Sequence, residues 1–187
     1  MSDRSAVDPE VGTVDDVSWI TTGTAGVGRT IATAIPPSYE AYATVVIPDG
    51  HQAKAHADAV LLRILRARTT AQPWWLGYLD TGVSDVVRPE APRVAMYVDW
   101  PYVVLRAGPD EAATWRTQDG ALPWHSALPD LMFPKDRSWL ASALWDDDWW
   151  CIGGSRPLVD DLVGHPDLDT REVAVDEDAT PPGHDAI

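Results

Sequence analysis

Three consecutive aspartates interrupt a tryptophan-rich run in the last third of the chain. They are Asp146, Asp147 and Asp148, and the neighbouring tryptophans are Trp145, Trp149 and Trp150. Carboxylates so close together could bind Ca²⁺ or Mg²⁺, or act as the acid and base of glycoside cleavage beside an aromatic sugar platform. Aspartate is also a favoured turn residue, and neighbouring side chains in a tight turn point apart into solvent. The pattern favours a solvated turn over a partner-binding acidic tip, and both of these over metal binding or catalysis.

A glycine-rich segment, Gly23–Thr30 (GTAGVGRT), differs at one position from a phosphate-binding P-loop. Its first and sixth residues are glycines with the P-loop spacing, but Arg29 stands where that motif has lysine. A P-loop also needs a buried strand before it and a long helix after it, so that amide groups and the helix dipole converge on the phosphates. Pro36 follows too soon for such a helix, and residues 31–35 alternate as a strand does. The segment is therefore predicted to be a glycine turn between two strands, without a nucleotide site.

Other residues that could catalyse or bind metals lack a matching pattern. The five histidines do not have metal-site spacing, and His51 and His56 do not share a helix face. Cys151 lies in an apolar run, where a thiol is normally buried and unreactive. Ser155 follows two glycines without a GxSxG motif and is predicted to be a helix N-cap. The sequence thus predicts no catalytic residue, no cofactor and no metal site.

The chain is strongly acidic, with 29 acidic and 14 basic residues and a net charge of -15. Such an excess disfavours binding to the phosphate backbone of nucleic acids. Residues 99–175 hold fourteen acidic and six basic residues, whereas residues 19–98 hold six and seven. Asp160 and Asp161 lie in this acidic half together with the aspartate run. We expect these five aspartates to form one negative, partner-binding face, with the basic residues of 52–68 on another face.

The elements that would position these residues follow from the apolar periodicity. The clearest is a helix over 52–68, where Leu61 and Leu65 belong to an apolar stripe and the basic residues lie off it. Pro37 suits the first position of a short helix, and further helices are predicted at 110–116 and from Ser155. Strands are predicted at 17–20, 31–35, 43–47, 74–79, 93–98, 102–106, 139–145, 149–152 and 171–175. The turn-rich residues 117–138 are expected to wrap the surface.

Strands adjacent in sequence, with helices at a few places, predict an α+β domain. We expect a mostly antiparallel sheet with two main helices and one or two short ones. The domain should cover 17–175, between disordered acidic tails at 1–16 and 176–187. The single cysteine excludes an internal disulfide, and no apolar run is long enough to cross a membrane. Because the start has no signal-peptide pattern, we expect a cytoplasmic protein, and we expect most of its ten tryptophans in the core.

Three blocks of the sequence carry a resemblance to known proteins. They are Ile35–Tyr42 (IPPSYEAY), Phe133–Leu140 (FPKDRSWL) and Cys151–Ser155 (CIGGS), the last followed by an apolar helix. In this order they resemble blocks in a group of actinobacterial proteins of unknown function, and the likeness spans about 17–175. The Pro-Pro-x-Tyr helix start, and the late arrangement of strand, acidic turn, strand, Gly-Gly-Ser and helix, are similar to the SUKH superfamily of bacterial toxin-immunity proteins. That second resemblance implies a non-catalytic α+β binding module.

The favoured function is a non-catalytic binding protein, of the immunity-inhibitor type, whose acidic surface meets a basic protein partner. Charge complementarity would speed association with such a partner and make it specific. The main alternative is a carbohydrate-binding or carbohydrate-hydrolysing protein that uses the Trp/Asp cluster at 145–150. A third interpretation is a domain without a dedicated partner, in which the acidity serves solubility. Neither nucleic acid nor a membrane is expected as a partner.

Overall fold

A computed structural model describes residues 9–82, 87–118, 126–144 and 147–185. It confirms an α+β fold, which in these ranges comprises one nine-stranded antiparallel sheet and four α-helices. The helices are α1 (Val14–Gly23), α2 (His51–Ala67), α3 (Pro109–Gln118) and α4 (Arg156–Val163), and a short 3-10 helix covers Ile31–Thr33. The strands are β1 (Glu10–Val11), β2 (Ala41–Val46), β3 (Trp74–Leu79), β4 (Val94–Met96), β5 (Trp100–Ala107), β6 (Leu131–Pro134), β7 (Leu140–Ser142), β8 (Trp149–Gly154) and β9 (Thr170–Glu172).

The strands pair in the order β1-β5-β3-β6-β7-β8-β2-β9, and β4 pairs with β5 outside this path. Helices α2 and α4 pack on one face of the sheet, where Leu65 and Leu158 share a core layer with Trp150. Helix α1 and the 3-10 helix cover the other face, where Ile20 shares a layer with Trp149. Successive strand residues point to opposite faces, so these adjacent tryptophans enter different layers. None of the helices in the described ranges has the length and apolar character that a membrane span requires.

Helix α2 confirms the strongest sequence prediction. The side chains of Leu61 and Leu65 are 1% and 0% exposed, which identifies the apolar stripe as the buried face. Helix α4 begins directly after Ser155 and buries its predicted apolar side chains, Leu158, Val159 and Leu162. The predicted hairpin around the aspartates is also present, because β7 and β8 pair in antiparallel fashion. These elements could be predicted because one apolar face of each lies in a core layer.

The N-terminal prediction is wrong in two respects. Residues 17–20 belong to α1 and not to a strand, because Thr13 starts this helix with a capping box. The Asp16 carboxylate accepts a hydrogen bond from the Thr13 N–H at 2.8 Å. A four-residue apolar run fits either a strand or a helix, and here the capping box at Thr13 favours the helix. The expected disorder up to residue 16 is wrong from Glu10 onward, because Glu10–Val11 pairs with β5.

Two internal segments also differ from the expectation. Residues 36–40 form turns, not a helix starting at Pro37, and the chain then enters β2, which includes a β-branched run. Residues 131–134 were expected in a surface loop but form β6, which lies between β3 and β7 with Phe133 fully buried. Only three apolar residues precede Pro134 in this strand, too few to display a period.

The C-terminal segment folds back onto the domain, so a disordered tail from residue 176 is wrong for the described residues. Asp178 forms an antiparallel bridge with Thr30, and Ala179 is buried in the α1 layer of the core. Arg171 in β9 donates to the Glu177 carboxylate at 2.5 Å and to the backbone carbonyl of Asp178 at 2.6 Å. Hydrogen bonds hold much of this segment, and apolar periodicity cannot reveal them.

Tryptophans supply much of the core, as expected. Trp74, Trp139 and Trp150 are fully buried. The rings of Trp74 and Trp139 meet edge to face with centroids 4.8 Å apart, and Trp139 Nε1 donates to Thr69 Oγ1 at 2.7 Å. The apolar bodies are thus buried while the polar N–H keeps a partner. Trp124 and Trp145 lie outside the described residues.

Candidate functional site

The aspartate turn between β7 and β8 is the first candidate site. Asp146 lies outside the described residues, Asp147 is half-buried, and the side chain of Asp148 is 59% exposed. The Asp148 carboxylate lies 2.7 Å from Nδ1 of His184, and its backbone carbonyl accepts the N–H of Ile47 at 2.7 Å. Asp148 therefore presents a carboxylate to solvent while it ties the C-terminal segment to the sheet.

Asp160 and Asp161 do not face a surface separate from the basic residues of α2. Asp161 forms an ion pair with Arg68 at 2.5 Å, and Arg63 lies 3.0 Å from His165 just after α4. The expected separation of acidic and basic faces is wrong because α2 and α4 pack side by side on the same face of the sheet. Asp160 is exposed on α4, but its neighbour Asp161 is already neutralised.

The structure instead brings other carboxylates to the aspartate turn. Asp169 precedes β9, and its backbone carbonyl accepts the N–H of Val46 at 2.9 Å, on the opposite edge of β2 from Asp148. With neighbouring strands about 4.8 Å apart, the backbones of Asp148 and Asp169 are about 10 Å apart. Asp49 follows β2 in the next loop, and Asp167 lies two residues before Asp169. We call these four exposed residues the acidic edge: Asp49, Asp148, Asp167 and Asp169.

Two of the three tryptophans around the aspartates cannot form the expected sugar platform. Trp149 and Trp150 are buried, and they point into the two different core layers of the sheet. A platform needs exposed rings on one surface, so the carbohydrate hypothesis loses two of its three proposed tryptophans. Trp145 lies outside the described residues.

Residues 26–30 of the P-loop-like segment form one wall of a cavity of about 250 Å³ beside the aspartate turn. The segment follows helix α1 and leads into the 3-10 helix, so the strand before and the long helix after, which phosphate binding needs, are not there. Gly26 and Gly28 have φ angles of +78° and +137°, which bears out the glycine turn, although the expected flanking strands are wrong. Cys151 lies deeper in the same cavity, and burial raises the pKa of its thiol to about 12. A thiol with this pKa stays protonated at neutral pH and is a poor nucleophile.

A second candidate site is an open surface depression of about 420 Å³ at the other end of β2. We call it the three-segment depression, because its walls come from three separate parts of the chain together with α1. Its lining residues are Trp19, Ser38, Tyr39, Glu40, Arg137, Ser138, Gly154 and Ser155. The three blocks that carry the sequence resemblance supply all of these except Trp19.

Arg137 is held over the depression by an aromatic ring. Its guanidinium carbon lies 4.9 Å from the centroid of Trp19, whose indole in turn meets Phe133 edge to face at 5.3 Å. The φ angle of Arg137 is +57°, a left-handed conformation that is uncommon for a side chain with a Cβ. A turn fixes this conformation, since the Arg137 N–H donates to the carbonyl of Pro134 at 2.9 Å.

Tyr39 lines the same depression and packs on glycine. A Cβ atom at Gly153 would lie 2.6 Å from Cδ2 of Tyr39, so only glycine lets the ring approach β8 this closely. The backbone N–H of Tyr39 donates to the hydroxyl of Tyr42 at 3.0 Å. The hydroxyl oxygen of Tyr39 is buried without a hydrogen-bond partner in the described part of the chain, and burial raises its pKa well above the usual range.

Glu40, the residue before β2, caps helix α4. Its carboxylate accepts the backbone N–H of Arg156 at 3.0 Å. Ser155 occupies the N-cap position as predicted, but its side chain makes no capping hydrogen bond. The first turn of α4 thus already has a negative charge at its positive end, which is favourable for the helix.

The comparisons with known proteins do not assign a role to either surface. No family model, characterised protein or solved structure matches this chain. The residues at each surface must therefore indicate what the protein binds. In the described ranges, no group of three His, Cys, Asp or Glu side chains could hold a metal ion. The acidic edge offers negative charge, and the three-segment depression offers aromatic rings together with one positive and one negative side chain.

Sequence reasoning found part of the acidic edge and missed the rest. Asp148 belonged to the predicted set, whereas Asp49, Asp167 and Asp169 did not. These three residues lie in short turn segments, where an aspartate is expected for reasons unrelated to function. The pairing of β2 with both β8 and β9 is what brings Asp49, Asp167 and Asp169 to the same end of the sheet as Asp148.

Proposed function

We propose that this chain is a non-catalytic binding protein whose acidic edge meets a basic surface of another protein. The observation that supports this most directly is that Asp148 and Asp169 directly precede the two strands that flank β2, with their backbones about 10 Å apart. Carboxylates at that distance from each other can contact several lysine or arginine side chains of one partner surface at once. Asp49 and Asp167 extend the same patch.

Within the chain, the carboxylates of the acidic edge form ion pairs that the basic side chains of a partner protein would have to replace. The recorded ion pairs of these residues are with histidines, His184 for Asp148 and His56 for Asp167. The His56 pair is 3.4 Å long, and the side chains of His56 and Asp167 are 62% and 50% exposed. An exposed pair such as His56–Asp167 contributes little, so a partner's lysine or arginine could replace it at small cost. The Asp148–His184 pair is shorter and its imidazole is only 22% exposed, so it competes more strongly.

The finer hypothesis is an immunity-type inhibitor. An inhibitor of a damaging basic protein has to associate quickly, and a concentrated negative patch raises the association rate through electrostatic steering. The chemistry of Cys151 and Ser155 is consistent with binding and not catalysis, since the thiol is buried with a raised pKa and the serine begins a helix.

The test is an association-rate measurement on variants with matched charge. Affinity purification from the native cytosol, with the chain immobilised, supplies the candidate partner, which is then purified. Association rates are measured by stopped flow between 20 and 300 mM salt for the wild type and for Asp148→Asn/Asp169→Asn. The control is Asp15→Asn/Glu90→Gln, which removes the same charge from exposed residues of α1 and of the segment before β4.

We expect the acidic-edge variant to associate about three- to tenfold more slowly at low salt, with a weaker salt dependence. The control should lose less than half of the rate. Equal slowing of both variants would show that only the total charge matters, and unchanged rates in both would refute the acidic edge as the partner site.

A further inference from the structure

We infer that the three-segment depression is a binding site for a neutral, hydroxyl-rich ligand, namely the face of a saccharide. This inference is independent of the proposed function, because the two surfaces lie at opposite ends of β2. Glu40 precedes this strand and Asp148 pairs beyond its last residue, so the two are about 20 Å apart.

The charges in the depression exclude a strongly charged ligand. Arg137 would repel a cation, and Glu40 already places a carboxylate at the N-terminus of α4, where a phosphate or carboxylate ligand would otherwise bind. A neutral ligand with several hydroxyl groups satisfies both residues at once. The guanidinium donates hydrogen bonds in a planar fork, and the carboxylate accepts them.

Exposed serines add further hydrogen-bonding groups at the rim. Ser38 and Ser155 come from different segments, and each hydroxyl can both donate and accept, whereas the Ser138 hydroxyl already bonds to the Asp136 carboxylate. Ser155 is available for this role because Glu40, and not its own side chain, caps α4. A ring of groups that each accept and donate suits a polyol better than an ion.

Tyr39 supplies the apolar part that the flat face of a sugar ring requires, whereas the Trp19 ring supports the Arg137 guanidinium. Tyr39 and Trp19 are half-buried residues that line the depression, and each is fixed by its neighbours. Tyr39 rests on Gly153, and Trp19 is held between Phe133 and Arg137. Rigid aromatic contacts of this kind lose little conformational entropy on binding.

Arg137 is preorganised in the same way. Its left-handed backbone conformation and its contact with Trp19 restrict the side chain, whereas an ordinary surface arginine samples many rotamers. The structure describes no carboxylate in an ion pair with this guanidinium; its recorded contact is with the indole ring. A strained residue that places a charged group over an open depression is typical of a ligand site.

The test uses saturation-transfer NMR with a panel of trisaccharides. The neutral probes are maltotriose, cellotriose and tri-N-acetylchitotriose, and the charged comparator is 3′-sialyllactose. The proteins are the wild type, Arg137→Met, Tyr39→Leu and the control Arg63→Met, which removes an exposed arginine from α2 on the other face of the sheet. Thermal unfolding of each variant checks that the fold is retained.

We expect at least one neutral probe to bind with a dissociation constant on the order of millimolar, as is usual for a shallow site. Arg137→Met should weaken that binding about tenfold or more, because charged hydrogen bonds are lost, and Arg63→Met should leave it unchanged. Tyr39→Leu should weaken it as well. The inference is overturned if none of the neutral probes binds at 10 mM, if only sialyllactose binds, or if Arg137→Met and Arg63→Met bind alike.

Discussion

Replacing Gly153 with alanine should destabilise the protein by about 2 kcal/mol. The added methyl carbon would lie 2.6 Å from Cγ2 of Ile35 and 2.6 Å from Cδ2 of Tyr39, well inside the 3.4 Å at which ordinary contact begins. Overpacking of this kind costs about 1–3 kcal/mol, and two separate contacts this short place the cost near the upper end of that range. The lower entropy of the unfolded alanine chain returns about 0.4–1 kcal/mol, which leaves a net loss of about 2 kcal/mol. For a domain of this size the net loss corresponds to a decrease of about 4–8 °C in the melting temperature.

The measurement is urea unfolding together with a thermal scan, with Gly108→Ala as the matched control. A Cβ at Gly108 would meet only Oε2 of Glu111 at 3.0 Å, the end of a flexible side chain that also accepts the Gly108 N–H before α3, so this control should lower stability by less than about 1 kcal/mol. Combining Gly153→Ala with Tyr39→Ala should give a smaller loss than the sum of the two single changes, because the second removes one of the clashing groups. A melting temperature of Gly153→Ala within 1 °C of the wild type, or fully additive effects, would show that the Tyr39 ring does not lie on β8.

Two further predictions concern helix α2. Leu65→Ala should lower the free energy of unfolding by about 2–5 kcal/mol in a urea titration, because the fully buried side chain would leave a cavity; a loss below about 1 kcal/mol would mean that the helix buries a different face. Asp58 is 6% exposed, and its carboxylate accepts hydrogen bonds from Ser126 and Ala127, but burial raises its pKa. The native carboxyl group therefore binds its proton more tightly than the unfolded one, so its stabilising contribution at low pH is lost as the pH rises through the native pKa. Asp58→Asn should remove this falling component from unfolding free energies measured between pH 3 and 7, and an unchanged pH profile would contradict the assignment.

The sequence was informative wherever a single face of an element is buried. The apolar stripe through Leu61 and Leu65 predicted α2, and the two apolar runs around the aspartates predicted the β7–β8 hairpin. It failed where hydrogen bonds decide the conformation. The Thr13–Asp16 capping box turned an ambiguous apolar run into a helix, and this Thr-x-x-Asp spacing was a readable signal.

The candidate sites were only partly predictable, because both are assembled from distant segments. Arg68 and Asp161 are far apart in the sequence, so nothing in the local pattern shows that they pair. The three-segment depression has the same character, since Glu40, Arg137 and Ser155 come from separate loops. The sequence pointed to this depression only in that the three blocks of resemblance contain its lining residues Glu40, Arg137 and Ser155. The chemistry of that surface follows only from their convergence.

Strand β2 emerges early during synthesis but acquires its neighbours late. In the described part of the chain it pairs with β8 and β9, which lie about 100 or more residues further along. Closing so long a loop costs entropy before any contact repays it, and such non-local pairing slows folding. Until then β2 is an apolar strand with two open edges that could pair with another chain. We therefore expect this half of the sheet to form only after β9 has been translated, and refolding from denaturant to be slow and to lose yield as the protein concentration rises.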